Sequence, residues 1–312
     1  MIEKKAAGSV LGNAYKIINR DKYIIALVVP AFLFFVIFHY IPMYGLIISF
    51  KNFNPGLGIM DSPWIGFRWF EEFFKSIYFL RLLKNTILLS LYNLIFGFPV
   101  PILFALMVNE VRVSFLKRSI QTISYLPYFI STVVIVGLMV NMFSPTDGII
   151  NKFIVDIFNT EPIQFMSQSK WFRPLYISSG IWQSFGFGSI IYLAALTGID
   201  ITQYEAAKID GAGKLKQIIH ISIPGIMPTI TILLILSIGS MLSVGFEKII
   251  LMYTPATYDT ADVIATYVYR RGIIGGQYSF SAAVSLFNSV INFLLLITAN
   301  GLSKRYAKNS LW

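Results

Sequence analysis

The sequence predicts an all-α membrane protein of six spanning helices with both termini in the cytoplasm, and three observations carry that reading. The first is composition. Of 312 residues, 56% are hydrophobic and 13% are charged, which is more apolar surface than one soluble core of this length can hide. The second is where the charges are missing. Six stretches of at least 25 residues contain no Asp, Glu, Lys or Arg: 24–50, 85–109, 119–146, 174–199, 217–246 and 272–303. A helix crosses the hydrocarbon layer with about 20 apolar residues, so each stretch is long enough. The third is the basic residues. With the N-terminus inside, the inner segments hold 14 Lys and Arg in 58 positions and the outer ones 11 in 86. Basic residues in short loops resist translocation.

These runs divide the chain into a cytoplasmic lead-in, 1–23, a six-helix domain, 24–303, and a cytoplasmic tail, 304–312. The lead-in is basic, with a short interfacial helix expected around Val10 to Ile18. The first apolar run has no small-x-small cleavage site and stays as the first helix. In the outer loop 51–84, Asn54-Pro55-Gly56 marks a turn. Trp64, Phe67, Trp69, Phe70, Phe73 and Phe74 then surround Glu71 and Glu72. That pattern fits a short amphipathic helix at the outer headgroups, either a cap or partner surface or an aromatic anchor. Pro30, Pro99, Pro101, Pro127 and Pro228 lie inside the runs as hinges or static bends. Glu247 and Lys248 close span five as a gate pair or as ordinary interfacial charges.

Several function classes fall away. The net charge of +10 is spread over the flanks of spans, where anionic headgroups are neighbours, so it calls for no nucleic acid. There is no cysteine, hence no thiolate chemistry. His39 and His220 belong to opposite membrane sides, which leaves no shared metal site. No phosphate-cradling glycine loop and no nucleophile triad occur, so no residue is assigned to catalysis. Any energy-coupling machinery must sit on another polypeptide.

The most informative loop is the inner one, 200–224. Thr202 followed by Glu205 reads as a capping box opening a helix through Ile209. Asp210-Gly211-Ala212-Gly213 then reverses the chain, because glycine reaches the left-handed conformation without strain. A second helix is expected from Lys214, with Leu215, Ile218, Ile219 and Ser222 on one face and Lys214, Lys216, Gln217 and His220 on the other. Pro224 kinks the entry to span five. The product is a helical knob across the inner membrane face, either a partner-binding element or a plain interfacial helix.

For a solute pathway, aromatic faces, amides and hydroxyls suit sugar rings. Span four offers Gly180, Trp182, Gln183, Ser184, Phe185 and Phe187. Span five offers Ser237, Ser240 and Met241. Asn93, Tyr125 and Tyr128 are further candidates. Small and hydroxyl residues also serve plain helix packing in membranes.

Glu205-Ala206-Ala207, then Gly211, then Ile221-x-Ile223-Pro224 resembles the EAA signature of permease subunits in ATP-binding cassette importers, with Ile223 where leucine is usual. Phe143-Ser144-Pro145-Thr146-Asp147-Gly148-Ile149-Ile150-Asn151 is similar to the Phe-Asn-Pro-x-x-Gly-x-Ile-Asn stretch of sugar permeases, with Ser144 replacing asparagine. Trp64-Ile-Gly-Phe-Arg-Trp-Phe, Tyr40-Ile-Pro-Met-Tyr-Gly and Ser310-Leu311-Trp312 extend the resemblance toward the LplB-type permeases of complex-oligosaccharide importers. It implies a type I importer permease fold in a bacterial plasma membrane, working by alternating access. It also implies a second permease, two cytoplasmic ATPases that bind ATP and Mg, an extracytoplasmic solute-binding protein and an oligosaccharide substrate. By the same resemblance Glu205 is the charge contact to an ATPase, Ala206 and Ala207 allow close approach, Gly211 makes the turn, and Asp210, Gly213 and Pro224 complete the docking element. Counting from Glu205 and Pro224, Gly180, Gln183, Ser184, Phe187, Ser237, Ser240 and Met241 fall on the sugar-lining positions of the large maltose permease subunit. The alternatives are an importer of a non-sugar solute, a membrane scaffold and an ion-coupled carrier. The last normally needs intramembrane ionisable residues, and apart from histidine the six runs have none.

Overall fold

A computed structural model of the chain describes residues 20–306 and 311. The interfacial helix expected around Val10 to Ile18 lies outside them. The described residues are helical throughout, without a strand; two isolated bridges pair Lys51 with Trp64 and Asn54 with Gly58. The chain divides into two compact units, residues 1–69 and 70–312.

In the first unit α1 (Lys22–Phe50) is 29 residues long and apolar, and its most hydrophobic stretch buries none of its residues. After it the chain folds back on itself. Trp69 Nε1 donates to the Lys51 carbonyl at 3.0 Å, and the Lys51 ammonium donates to the carbonyls of Ile59 and Met60 at 2.8 and 2.7 Å.

The short helix α2 (Arg68–Lys75) leads into the second unit. Its Phe73 is buried and packs edge-on against Phe79, Phe280 and Phe287, so part of the expected headgroup helix is core. Then follow α3 (Phe79–Asn109), α4 (Ser114–Phe129), α5 (Thr132–Met142), α6 (Ile149–Phe158), α7 (Ser169–Thr197), α8 (Ile201–Ile209), α9 (Lys214–Gly239), α10 (Phe246–Met252), α11 (Tyr258–Ala261), α12 (Ile264–Tyr269) and α13 (Tyr278–Tyr306). Four helices, α1, α3, α9 and α13, are each long and apolar enough to cross a membrane. The number rises to six if the bent pairs α4–α5 and α7–α8 each count as one.

The third expected run, 119–146, is therefore not one helix. α4 and α5 meet at 95°. Pro127 lies in the tight last turn of α4, where it has no N–H to continue the ladder. Ser131, extended, accepts from Val134 N and restarts the chain as α5. Three π-turns, Val36–Tyr40, Asn93–Gly97 and Ile218–Ser222, each end two residues before a proline: Pro42, Pro99 and Pro224. A proline ring collides with the carbonyl four residues back. Widening the preceding turn relieves that collision while keeping the helix continuous.

Lipid is as apolar as leucine, so close packing and hydrogen bonds hold such helices together. Gly186 of α7 lies so close to the Ser124 backbone of α4 that a Cβ would overlap it. The segment expected as a plain outer loop, 247–271, is core: Ile249, Met252, Ala261, Val263 and Ile264 are buried. A polar knot fixes it. Fully buried Asp262 accepts from Arg270 Nη2 at 2.8 and 2.7 Å, Arg81 at 3.2 Å and Thr266 at 2.9 Å. Asn85 Nδ2 donates to the Asp262 carbonyl at 2.9 Å, and Arg173 donates to Asn85 Oδ1 at 2.8 Å.

Candidate transport cavity and docking loop

The docking loop is built around α8. Its N-cap is Asp200, whose carboxylate accepts from Thr202 N at 2.9 Å. That bond holds the Asp200 carboxyl below its ordinary range. The capping box expected of Thr202 and Glu205 does not form. The helix begins two residues earlier, after Asp200, and Ile199 just ahead of it packs against Gly225 of α9. Glu205 is thereby released: it is exposed and does none of the capping. At the other end Asp210 is the C-cap and Gly211 has φ +75°. Gly211 N donates to Lys208 O at 3.1 Å and Ala212 N to Ala207 O at 2.8 Å, a Schellman closure. Ala206 is exposed and Ala207 half-buried.

No separate second helix exists. Gly213 is the N-cap of α9, which runs unbroken from Lys214 through the π-turn and Pro224 into the span. The expected faces hold only in part: Ser222 is buried, but Leu215 and Ile219 are exposed and Gln217, from the expected polar face, is buried. Gln217 turns inward because its amide donates to the Ala212 carbonyl at 2.8 Å, bracing the reversal. The Tyr204 hydroxyl meets Ser222 Oγ at 2.9 Å and Lys214 pairs with Glu110. A force on α8 therefore reaches α9 through a hydrogen bond, and the α3–α4 loop through an ion pair.

The second candidate site is a cavity of about 380 Å³ between α3, α7, the end of α9 and α10. Seven residues selected from the sequence line it: Asn93, Gly180, Gln183, Ser184, Ser237, Ser240 and Met241. Asn93 comes from the π-turn of α3, and Ser90, Tyr176, Ser243, Gly245 and Lys248 join them. Trp182 and Phe187 do not. Trp182 lies on another face of α7, lining a separate hollow with Leu138 and Met142. Phe187 stacks on Tyr128 at 4.0 Å and 5° between planes, plugging the α4–α5 bend.

The hydroxyls of Ser184 and Ser237 donate to carbonyls one turn back at 2.8 Å each, and that of Ser240 does so at 3.2 Å. Each keeps lone pairs for a solute hydroxyl. Gln183 Nε2 donates to Ile130 O at 3.1 Å, which leaves its amide oxygen as an acceptor. The wall beyond α9 is a non-helical turn held by α13. Asn292 accepts from Leu242 N and donates to Ser243 Oγ, at 2.9 and 3.0 Å, and Asn288 donates to Leu242 O at 3.3 Å. Tyr176 OH accepts from Gly245 N at 3.1 Å, and Ser90 Oγ bonds Met241 O. That turn delivers Lys248. Its side chain is 8% exposed and its ammonium has no hydrogen-bond partner. It lies 5.6 Å from the Tyr176 ring. Glu247 is exposed, and no hydrogen bond joins it to the Lys248 ammonium. No periodicity marks Lys248; the only sign in the sequence is a lone basic residue just past a long apolar run.

Several helices of membrane-spanning length and a polar cavity lined from α3, α7, α9 and α10 fit a solute permease. Residues 97–308 match the family described as "Binding-protein-dependent transport system inner membrane component", and the chain belongs to that family. It is 44% identical to protein LplB of Bacillus subtilis (strain 168), over 95% of this chain and 92% of that one. It is 42% identical to the polygalacturonan/rhamnogalacturonan transport system permease protein YteP of the same organism, over 94% and 91%. A crystal structure of a bacterial ABC transporter involved in import of the acidic polysaccharide alginate superposes with a TM-score of 0.87 at 45% identity, covering 94% of this chain and 99% of that one.

Proposed function

We propose that this chain is one of two permeases in an ATP-binding cassette importer for an oligosaccharide, crossing the bacterial plasma membrane six times with both termini in the cytoplasm. Two cytoplasmic ATPase subunits that bind ATP and Mg drive the permease pair, one of them docking on α8, where Glu205 makes the charge contact. Ala206 and Ala207 let the surfaces close, and the Asp210–Gly213 reversal with Pro224 passes the movement into α9. An extracytoplasmic binding protein delivers the solute.

The observation that carries the carbohydrate reading is the cavity wall of Gln183, Ser184, Ser237, Ser240 and Asn93: neutral amides and hydroxyls, which is what a polyhydroxyl solute exchanges for water. The names of the relatives agree with it, since one is a polygalacturonan/rhamnogalacturonan permease and another imports alginate, in one structure together with a periplasmic protein carrying an alginate pentasaccharide. The test is to reconstitute the chain with its partner permease, ATPases and binding protein, and to measure stimulated ATP hydrolysis and uptake across a panel of oligosaccharides. Stimulation by an oligosaccharide is expected; stimulation by amino acids or peptides alone would refute the reading.

A further inference from the structure

Lys248 is the one cationic group lining the cavity among the described residues, and the fold goes to some length to put it there. The helix break at 240–245 is clamped by Asn288 and Asn292, α10 turns back from it, and the ammonium ends up across the cavity from Gly180, where even an added Cβ would come within 3.7 Å of Nζ. A charge nine-tenths buried with no hydrogen-bond partner is costly. Apart from the Tyr176 ring at 5.6 Å, nothing among the described residues offsets that cost. Buried ammonium groups are ordinarily paired, so the partner is supplied from outside the chain.

We infer that Lys248 is the subsite for a carboxylate carried on the transported sugar, making the cavity selective for uronate-containing oligosaccharides. This rests on the reading of the cavity as the oligosaccharide's path. The surrounding chemistry narrows the class. Serine hydroxyls and the Gln183 amide oxygen flank the ammonium and suit ring hydroxyls. Lys248 is the single point charge among the lining residues, which balances the single charge of one carboxylate and leaves the second charge of a phosphate monoester unbalanced.

The experiment uses the assembled importer in proteoliposomes, with oligogalacturonate and alginate oligomers as probes, each offered as the free acid and as its methyl ester. The same binding protein delivers all probes, so the change in the acid-to-ester uptake ratio between wild type and variant reads Lys248 alone. Lys248→Gln is expected to lower that ratio about tenfold or more, as loss of a charge-assisted hydrogen bond does, while Lys248→Arg keeps it within about threefold of wild type. Should the Gln variant not assemble, Lys248→Met is read instead, since removing an unpartnered buried charge lifts a desolvation cost. An unchanged ratio overturns the inference and leaves the oligosaccharide reading standing. Failure of both neutral variants to assemble, with Arg assembling normally, also overturns it, because the ammonium would then be a counter-ion to a neighbouring subunit. Uptake of neither acid nor ester by a complex that hydrolyses ATP refutes the oligosaccharide reading itself.

Discussion

Gly211 offers a way to separate backbone strain from surface contact in the docking loop. Its φ of +75° lies in the left-handed region, and a Cβ built there meets nothing within 4 Å. Alanine at this position thus clashes with nothing in the chain, and its whole cost is conformational, about 1–2 kcal/mol for an L-residue. Asparagine tolerates the same conformation at a fraction of that. If the free loop relaxes in the variant, docking must restore the Schellman closure formed by Ala212 N on Ala207 O and Gly211 N on Lys208 O. The affinity for the ATPase should then fall by about five- to thirtyfold in Gly211→Ala and about twofold in Gly211→Asn. Dissociation constants of the purified permease core with its ATPase, measured in detergent, read this directly, with ATP hydrolysis per solute transported as the functional counterpart. Equal and large losses in both variants would show that a partner surface touches the glycine itself, and unchanged affinity in both would remove α8 from the docking interface. Either result defeats the reasoning from strain.

Other outcomes follow from the same geometry. Glu205→Gln should weaken ATPase association while the chain still inserts and purifies normally, because Glu205 is exposed and caps nothing; co-purification yield is the check. Gly186→Ala should force α4 and α7 apart and cost about 1–3 kcal/mol, seen as loss of monodisperse protein on size exclusion, whereas Gly137→Ala, with nothing within 4 Å, should be tolerated. Asp262→Asn should destabilise the chain by about 2–4 kcal/mol by leaving Arg270 and Arg81 without their shared carboxylate, read as a lower melting midpoint. Burial pushes the Lys248 ammonium down to about 8. Its charge is therefore present below that pH and lost as pH rises through it, so the acid-to-ester uptake ratio should fall between about pH 7 and 9, and stay flat in Lys248→Arg, whose guanidinium remains charged.

Much of this fold is legible because charge is so costly in lipid. Each charge-free run begins or ends near a helix end, and α3, α9 and α13 fall where the runs 85–109, 217–246 and 272–303 lie. The docking turn is legible for a different reason: only Gly211 in Asp210-Gly211-Ala212-Gly213 needs a conformation that other residues avoid, and a local rule suffices to find it. The cap was misread because Asp200 and Thr202 are both competent N-caps. Asp200 caps the observed helix, and beside it Ile199 packs against Gly225, a contact between residues brought together only by folding.

The cavity was half legible, and the missing half has one physical cause. Gly180, Gln183 and Ser184 stand at i, i+3 and i+4, so a continuous helix already puts them on one face, and Trp182 on another. Lys248, Ser243 and Gly245 reach the cavity only because α9 stops at Gly239 and the chain doubles back under side chains from α13, some 50 residues on. Asn93 arrives through the π-turn ahead of Pro99, and the partner of Gln183 is Ile130, at the 95° break. Two of these are places where a helix is interrupted, and the third is a widened turn within one. Irregular backbone at membrane depth is tolerated only where protein or a polar cavity satisfies it, so the interruptions and the cavity require one another. A reading that treats each apolar run as one unbroken helix finds the spans and misses the site. The sequence signal that points to it is instead the set of prolines and small polar residues, Pro99, Pro127 and Ser240 to Gly245, at which those runs cannot stay regular.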